Sequence, residues 1–251
     1  MIENPVPPKP DRLSAFFRAF EFTATAVSPE AGSSDATLMV KGSTDDVRRL
    51  VLTIGPAAMF DGEVLAAVCV SFGGPLNPLL SALPERIDIS LEDTPDLRAL
   101  ASVFAAEALE ARCGRQTALA RLAEVIMLMV LRRTIDAGAT RPGLLAGLSH
   151  PALHRALAAM HDAPAHPWRI EDLAALAGVS RSRFMELFRN VVGITPSSYL
   201  TEWRLALARR ALADGERVKS IAARVGFGSA AAFSRAYTRR FGLPPVHARP
   251  A

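Results

Sequence analysis

Arg235, Arg239 and Arg240 stand four and five residues apart in the stretch GFGSAAAFSRAYTRRFG, Gly226 to Gly242. On a helix that spacing lines basic groups along one side. A guanidinium donates hydrogen bonds in pairs, to phosphate oxygens or to O6 and N7 of guanine, so the chemistry on offer is recognition of a polyanion. Ala230, Ala231 and Ala232 open the same helix. Ala230 and Ala231 keep its leading edge slim enough to approach a thymine methyl in a major groove. An earlier stretch, VSRSRFMELFRNVVG from Val179 to Gly193, carries Arg181, Arg183 and Arg189 in a similar setting.

Other chemistries find less support. Cys69 and Cys113 are the two cysteines, too few for a disulfide framework or a four-thiolate zinc site, and they imply a reducing cytoplasm. Cys113 lies beside Arg112 and Arg115 near a helix start, where a thiolate is favoured. Thiol-based redox sensing at Cys113 or Cys69 is therefore one alternative reading, against the commoner one of a small apolar cysteine for Cys69 in AAVCVSF; an enzyme built on the first half is a second, less favoured one. No histidine precedes His150, which argues against a metal site in the first 149 residues and against a metal-dependent enzyme there. His150 and His154 have metal-ligand spacing but no acidic neighbour completes a site. No Gly-x-Ser-x-Gly elbow or phosphate-binding glycine loop is present. No catalytic residue, metal or cofactor is expected.

The elements that must position these groups divide the chain in two. Residues 1–149 hold 14 basic against 18 acidic side chains, and residues 150–251 hold 15 against 7. Only the second half is built to meet a polyanion. The longest strongly apolar run, VIMLMVL, is far shorter than the roughly 20 residues of a membrane span, so no membrane partner is expected. A proline-rich start predicts disorder over 1–12, and short apolar runs broken by turn residues predict a β-rich region from about 18 to 91. Helices follow over 95–111, after Thr94 as N-cap, and over 115–137. The second is apolar nearly all round, so the domain surface or a second subunit has to cover it. These residues, 13–137, form one expected domain, with 138–150 as a linker.

From Pro151 the texture is helical and repeats. Gly178 matches Gly226 at an offset of 48, while Phe184, Phe188, Gly193 and Pro196 match Phe233, Tyr237, Gly242 and Pro245 at 49. Each copy has the layout of a helix-turn-helix: a short helix, a turning glycine, then a second helix capped by Ser180 or Ser229. In the first copy Leu173, Leu176 and Ala177 are expected to face inward. Between the copies, PSSYLTEWRLALARRALAD reads as one helix of about 28 Å. Such a spacer sets two recognition helices about one DNA turn, roughly 34 Å, apart.

The stretch WRIEDLAALAGVSRSRFMELFRNVVGITPSSYLTEWRLALARRAL, followed by VKSIAARVGFGSAAAFSRAYTRRFGLPP, resembles the AraC/XylS family of transcription regulators. The likeness covers about 151–249. The first half more loosely resembles the cupin-type ligand-binding domain of one branch of that family, in VCVSFGGPLNPLLSALP and CGRQTALARLAEVIMLMVLRRTIDAG. The resemblance implies an α+β chain: a small β-rich cupin-like domain with a helical hairpin, then an all-α DNA-binding domain of two helix-turn-helix units over 151–251. Because the stretch before Pro75 is short for a full cupin domain, the barrel is expected to be open or to lack strands. By position, base-facing residues map onto Arg181, Ser182, Met185 and Glu186, and onto Ala230, Ala231, Ser234 and Arg235. Arg183, Arg189, Arg204, Lys219, Arg239 and Arg240 are expected on phosphates. Implied partners are double-stranded DNA, a second copy through the helix 115–137, RNA polymerase and a small-molecule effector.

Overall fold

The computed structural model describes residues 11–20, 22–26, 35–44, 46–55, 63–73, 77–138 and 141–248. Of the disorder expected over 1–12, residues 1–10 lie outside them, whereas Asp11 and Arg12 are placed, Asp11 at the start of the first helix and Arg12 on the Leu148 carbonyl. Two compact units emerge: residues 20–137, and a helical unit made of the first 19 residues together with 138–251.

The helical unit begins with α1 (Ser14–Ala19), whose start is held by Asp11, the carboxylate accepting from the Leu13 and Ser14 amides at 3.0 and 2.9 Å. This short helix stands where the first domain was expected to begin. The reason is its apolar face: Leu13 and Phe16 are buried, Phe16 edge-on to the rings of His161 and Trp203 at 4.7 and 4.8 Å.

The described residues of the unit 20–137 form an antiparallel sheet with helices packed on it. Its strands are β1 (Thr23–Ala26), β2 (Ala36–Ser43), β3 (Asp46–Ile54), β4 (Val64–Ser71) and β5 (Arg86–Ser90), in the order β1-β4-β2-β3-β5. Among the described residues no strand joins the two edges. Every residue of β2 from Ala36 to Val40 is buried, which marks a central strand covered on both faces. The β2–β3 pair slips register at Lys41/Gly42, and Gly42, at φ +142°, leaves no room for a Cβ, which would lie 2.3 Å from the Asp46 carbonyl.

After α2 (Pro78–Ala82), α3 (Pro95–Leu109) packs on β3 and β4, and α4 (Arg115–Asp136) packs on β1 and α3. Thr94 precedes α3, but its hydroxyl turns back to the Ser90 carbonyl and not to the helix. In α4 the side chains of Leu119, Ile126, Met127, Val130 and Leu131 are buried, while Val125 is 45% exposed.

The expected linker contains a helix, α5 (Leu144–Ser149). Leu144, Leu145 and Leu148 are buried, and Gly147 lies so close to Leu157 that an added Cβ would be 2.5 Å from its Cδ1. The segment is therefore part of the helical core. It continues through α6 (Leu153–Asp162), α7 (Ile170–Ala177), α8 (Arg181–Val192), α9 (Pro196–Ala213), α10 (Val218–Arg224) and α11 (Ala230–Phe241). No helix among the described residues is long and apolar enough to cross a membrane.

Candidate nucleic-acid interface

Two helix-turn-helix units form at the expected places. Gly178 ends α7 at φ +68° and Gly226 follows α10 at φ +87°, both in the left-handed region that glycine enters without penalty. The Ser180 hydroxyl accepts from the Arg183 amide at 3.3 Å and the Ser229 hydroxyl from the Ala232 amide at 3.1 Å. Phe184 and Phe188 anchor α8, and Phe233 and Tyr237 anchor α11, all four buried completely. In α7 the inward positions are Leu173, Ala174 and Ala177. Leu176, expected inward, is 38% exposed, because a hundred degrees per residue swings it away and brings Ala174 in.

Helix α9 belongs to both units. Near its start Tyr199 packs on Phe188, with ring centres 5.8 Å apart, and Trp203 packs on His161. Its second half, with Leu205, Ala208, Ala211 and Leu212, shares one core with Ile221, Val225, Phe233 and Tyr237. A spacer buried in both cores cannot bend without unpacking one of them.

On the outer faces Arg181, Ser182 and Glu186 of α8 are exposed and Met185 is half-buried; Ala230, Ala231 and Arg235 of α11 are exposed and Ser234 is half-buried. Their electrostatics differ. Arg181 Nε lies 2.9 Å from a Glu171 oxygen, across the turn in α7. Arg183 Nη1 lies 2.9 Å from Glu186, one turn along the same helix. Arg235 has no ion-pair partner among the described residues. Arg189, Lys219, Arg239 and Arg240 are exposed, the last with its guanidinium 5.5 Å from the centre of the Phe241 ring.

Arg204, expected on phosphate, does something else. Its Nε donates to the Pro164 carbonyl at 2.7 Å and its Nη2 to the His166 carbonyl at 3.1 Å. Partial burial pulls its pKa below the usual arginine value. The guanidinium ties the α6–α7 loop to α9 and also flanks Gly226, whose missing Cβ would sit 3.0 Å from Nη2.

The remaining candidates separate. Cys69 is buried in β4 and Cys113 is exposed between α3 and α4. The arginines beside Cys113 are engaged, Arg112 with Glu107 and Glu110, Arg115 with the Ala108 carbonyl. His150 Nδ1 accepts from the Ala152 and Leu153 amides at 3.1 and 3.4 Å and so serves the start of α6; burial lowers its pKa. His154 Nδ1 lies 3.0 Å from the His150 carbonyl. Among the described residues no three metal-binding side chains cluster.

The sequence reading had no place for His161. It is buried, with Nε2 2.6 Å from the Tyr199 hydroxyl, and burial alone pushes its pKa down to about 3. Its signal was an i,i+4 run with Leu157 and Leu153 on an otherwise apolar helix face.

Residues 173–251 match the family described as helix-turn-helix domain, and residues 22–136 match the cupin family. An AraC-like transcription regulator of Streptomyces lividans is 35% identical over 223 residues, 86% of this chain and 71% of that one. The HTH-type transcriptional regulator AlkR of Acinetobacter baylyi is 36% identical over 178 residues, 69% of this chain and 58% of that one. A solved AraC-type regulator structure from Chromobacterium violaceum covers 39% of this chain and 89% of its own, at 33% identity and TM-score 0.38.

Proposed function

The chain belongs to the family of AraC-like transcription regulators, and we propose that it reads DNA by placing α8 and α11 in successive major grooves of one duplex face. The observation that carries this reading is α9: 18 residues, about 27 Å at 1.5 Å each, buried in the cores of both motifs. That length suits two recognition helices set about one groove repeat, roughly 34 Å, apart. Arg235, exposed and without an ion-pair partner among the described residues, is the direct reader of guanine. Arg183, Arg189, Lys219, Arg239 and Arg240 sit on phosphates, with Arg183 first leaving Glu186. An exposed pair of that kind contributes only about 0–1 kcal/mol, so phosphate displaces it easily.

The cupin-like unit receives the signal, a small-molecule effector, and a second copy docks along α4. Val103, Leu109 and Val125, each about half exposed on the α3–α4 pair, support that docking face. RNA polymerase is the onward partner, and the cytoplasm is the compartment.

Quantitative titration of DNA selected by the full chain tests the assignment. Arg235→Ala removes preference at one base pair, a loss of about 1–3 kcal/mol of discrimination. Lys219→Ala weakens all sequences alike and reduces the salt slope by about one. Unchanged base preference in the Arg235 variant overturns the readout assignment.

A further inference from the structure

We propose that Glu171 is a positioning residue for base readout, holding the Arg181 guanidinium by its Nε so that the outer pair of nitrogens is presented to guanine. The inference rests on the DNA-reading function above and names a specificity determinant within it. The contact is 2.9 Å and joins two helices of the first motif, Glu171 at the start of α7 and Arg181 at the start of α8. A guanidinium engaged at Nε keeps Nη1 and Nη2 for a second acceptor pair, such as O6 and N7 of one base. The neighbouring pair is built differently. Arg183 reaches Glu186 through Nη1, so its Nη1–Nη2 edge is already taken.

The repeat supplies the second argument. At offsets of 48 and 49 the counterparts of Glu171 and Arg181 are Lys219 and Ala230. Acid and arginine are present together in the first motif and absent together in the second. With Lys219 assigned to phosphate in the proposed function, its counterpart Glu171 stands where an acid repels the backbone of DNA. Its gain has to come from Arg181. The charges on the two recognition helices are offset in the same way: the counterpart of Arg235 is Glu186, so the first helix carries its unobstructed fork at the entrance and the second carries it one turn further in.

Both side chains are largely exposed, at 68% and 62%, and no packing orders them. An ion pair of this kind contributes little to folding. What it does is reduce the number of arginine rotamers that must be frozen when a base is bound.

The full chain is used to enrich duplexes from a randomised library. Binding is then titrated against the enriched duplex, its single base-pair variants and an unrelated duplex, for wild type, Glu171→Gln, Arg181→Ala, the double variant and Arg235→Ala. Arg181→Ala is expected to cut discrimination at one base pair by about 5- to 100-fold. Glu171→Gln cuts it at that same base pair by about two- to tenfold, leaves the base pair read by Arg235 untouched and leaves the melting temperature unchanged. It also binds the unrelated duplex slightly more tightly, since a negative charge is gone. The double variant equals Arg181→Ala, because Glu171 has nothing left to position. Full retention of preference in Glu171→Gln, a loss spread across the whole site, or no base-specific loss in Arg181→Ala overturns the proposal. If wild type enriches no sequence at all, the DNA-reading function fails and takes this inference with it. If it enriches a sequence with an Arg235-dependent base pair and Glu171→Gln is silent, this inference alone falls.

Discussion

At the scale of single residues, basic side chains of one family pattern divide by what lies within reach of their nitrogens. Arg204 spends its guanidinium on two backbone carbonyls, whereas Lys219 is exposed at the start of α10. Arg204→Ala is therefore expected to lower stability by about 1–3 kcal/mol, since it orphans acceptors in the α6–α7 loop. Its DNA salt slope, measured on the folded fraction, stays at the wild-type value. A slope reduced by one would instead return Arg204 to the phosphates. His161 makes a pH prediction whose sign follows from its burial. Its folded pKa of about 3 lies below the unfolded value near 6.5, so between those limits the unfolded chain binds the extra proton. The stability that depends on neutral His161 is present above pH 6.5 and is lost as pH falls toward 3. Urea midpoints from pH 7 down to 4 should drop more steeply for wild type than for His161→Gln, which stays neutral and can keep a hydrogen bond to Tyr199.

At the scale of elements, the two turning glycines look alike in sequence and differ in three dimensions. A Cβ on Gly178 meets nothing within 4 Å, whereas one on Gly226 would lie 2.7 Å from the Ala165 Cα and 3.0 Å from its carbonyl. Gly178→Ala is expected to cost about 1 kcal/mol, the left-handed penalty alone. Gly226→Ala costs clearly more, because backbone in the α6–α7 loop must move as well. Thermal melts of the two variants check the order. The turns themselves, both capping serines, α9 and the aromatic anchors were legible in the sequence because they rest on local rules of cap, turn and helical period; the turns, caps and anchors also appear twice. The helices α3 and α4 were legible for the same reason, to within two residues. What escaped was set by tertiary contact. Leu176 and Ala174 are both apolar, and only the packed neighbour decides which turns inward. GLLAGLS looks like a linker until Leu157 and Val192 close on Gly147. Arg204 reads as one more cation until the loop carbonyls come within 3.1 Å. In the candidate interface, the exposed positions could be counted off along each helix, whereas the Glu171–Arg181 contact spans a turn and required the fold.

At the scale of the whole molecule, the order of segments means that the helical unit is interrupted. It starts with α1, breaks off before Phe20 and resumes at Gly138, so the sheet unit is an insertion within it. A boundary drawn at residue 151 would discard Phe16, which is 1% exposed and fills a space between His161 of α6 and Trp203 of α9. It would also discard Arg12, whose guanidinium donates to the Leu148 carbonyl at 3.0 Å, and the ion pair between Arg18 and Asp162. Of these the apolar contact dominates: burying a phenyl ring outweighs an exposed ion pair several-fold. Phe16→Ala in the full chain is therefore expected to destabilise by about 3–5 kcal/mol. The loss should be confined to one unit. Amide hydrogen exchange should speed up in α6 and α9 and stay at the wild-type rate in β2 and β4, although residue 16 lies twenty residues from β2 and more than a hundred from α6 along the chain. Faster exchange in the strands with α6 and α9 unchanged would assign α1 to the sheet unit and restore the sequence-based boundary.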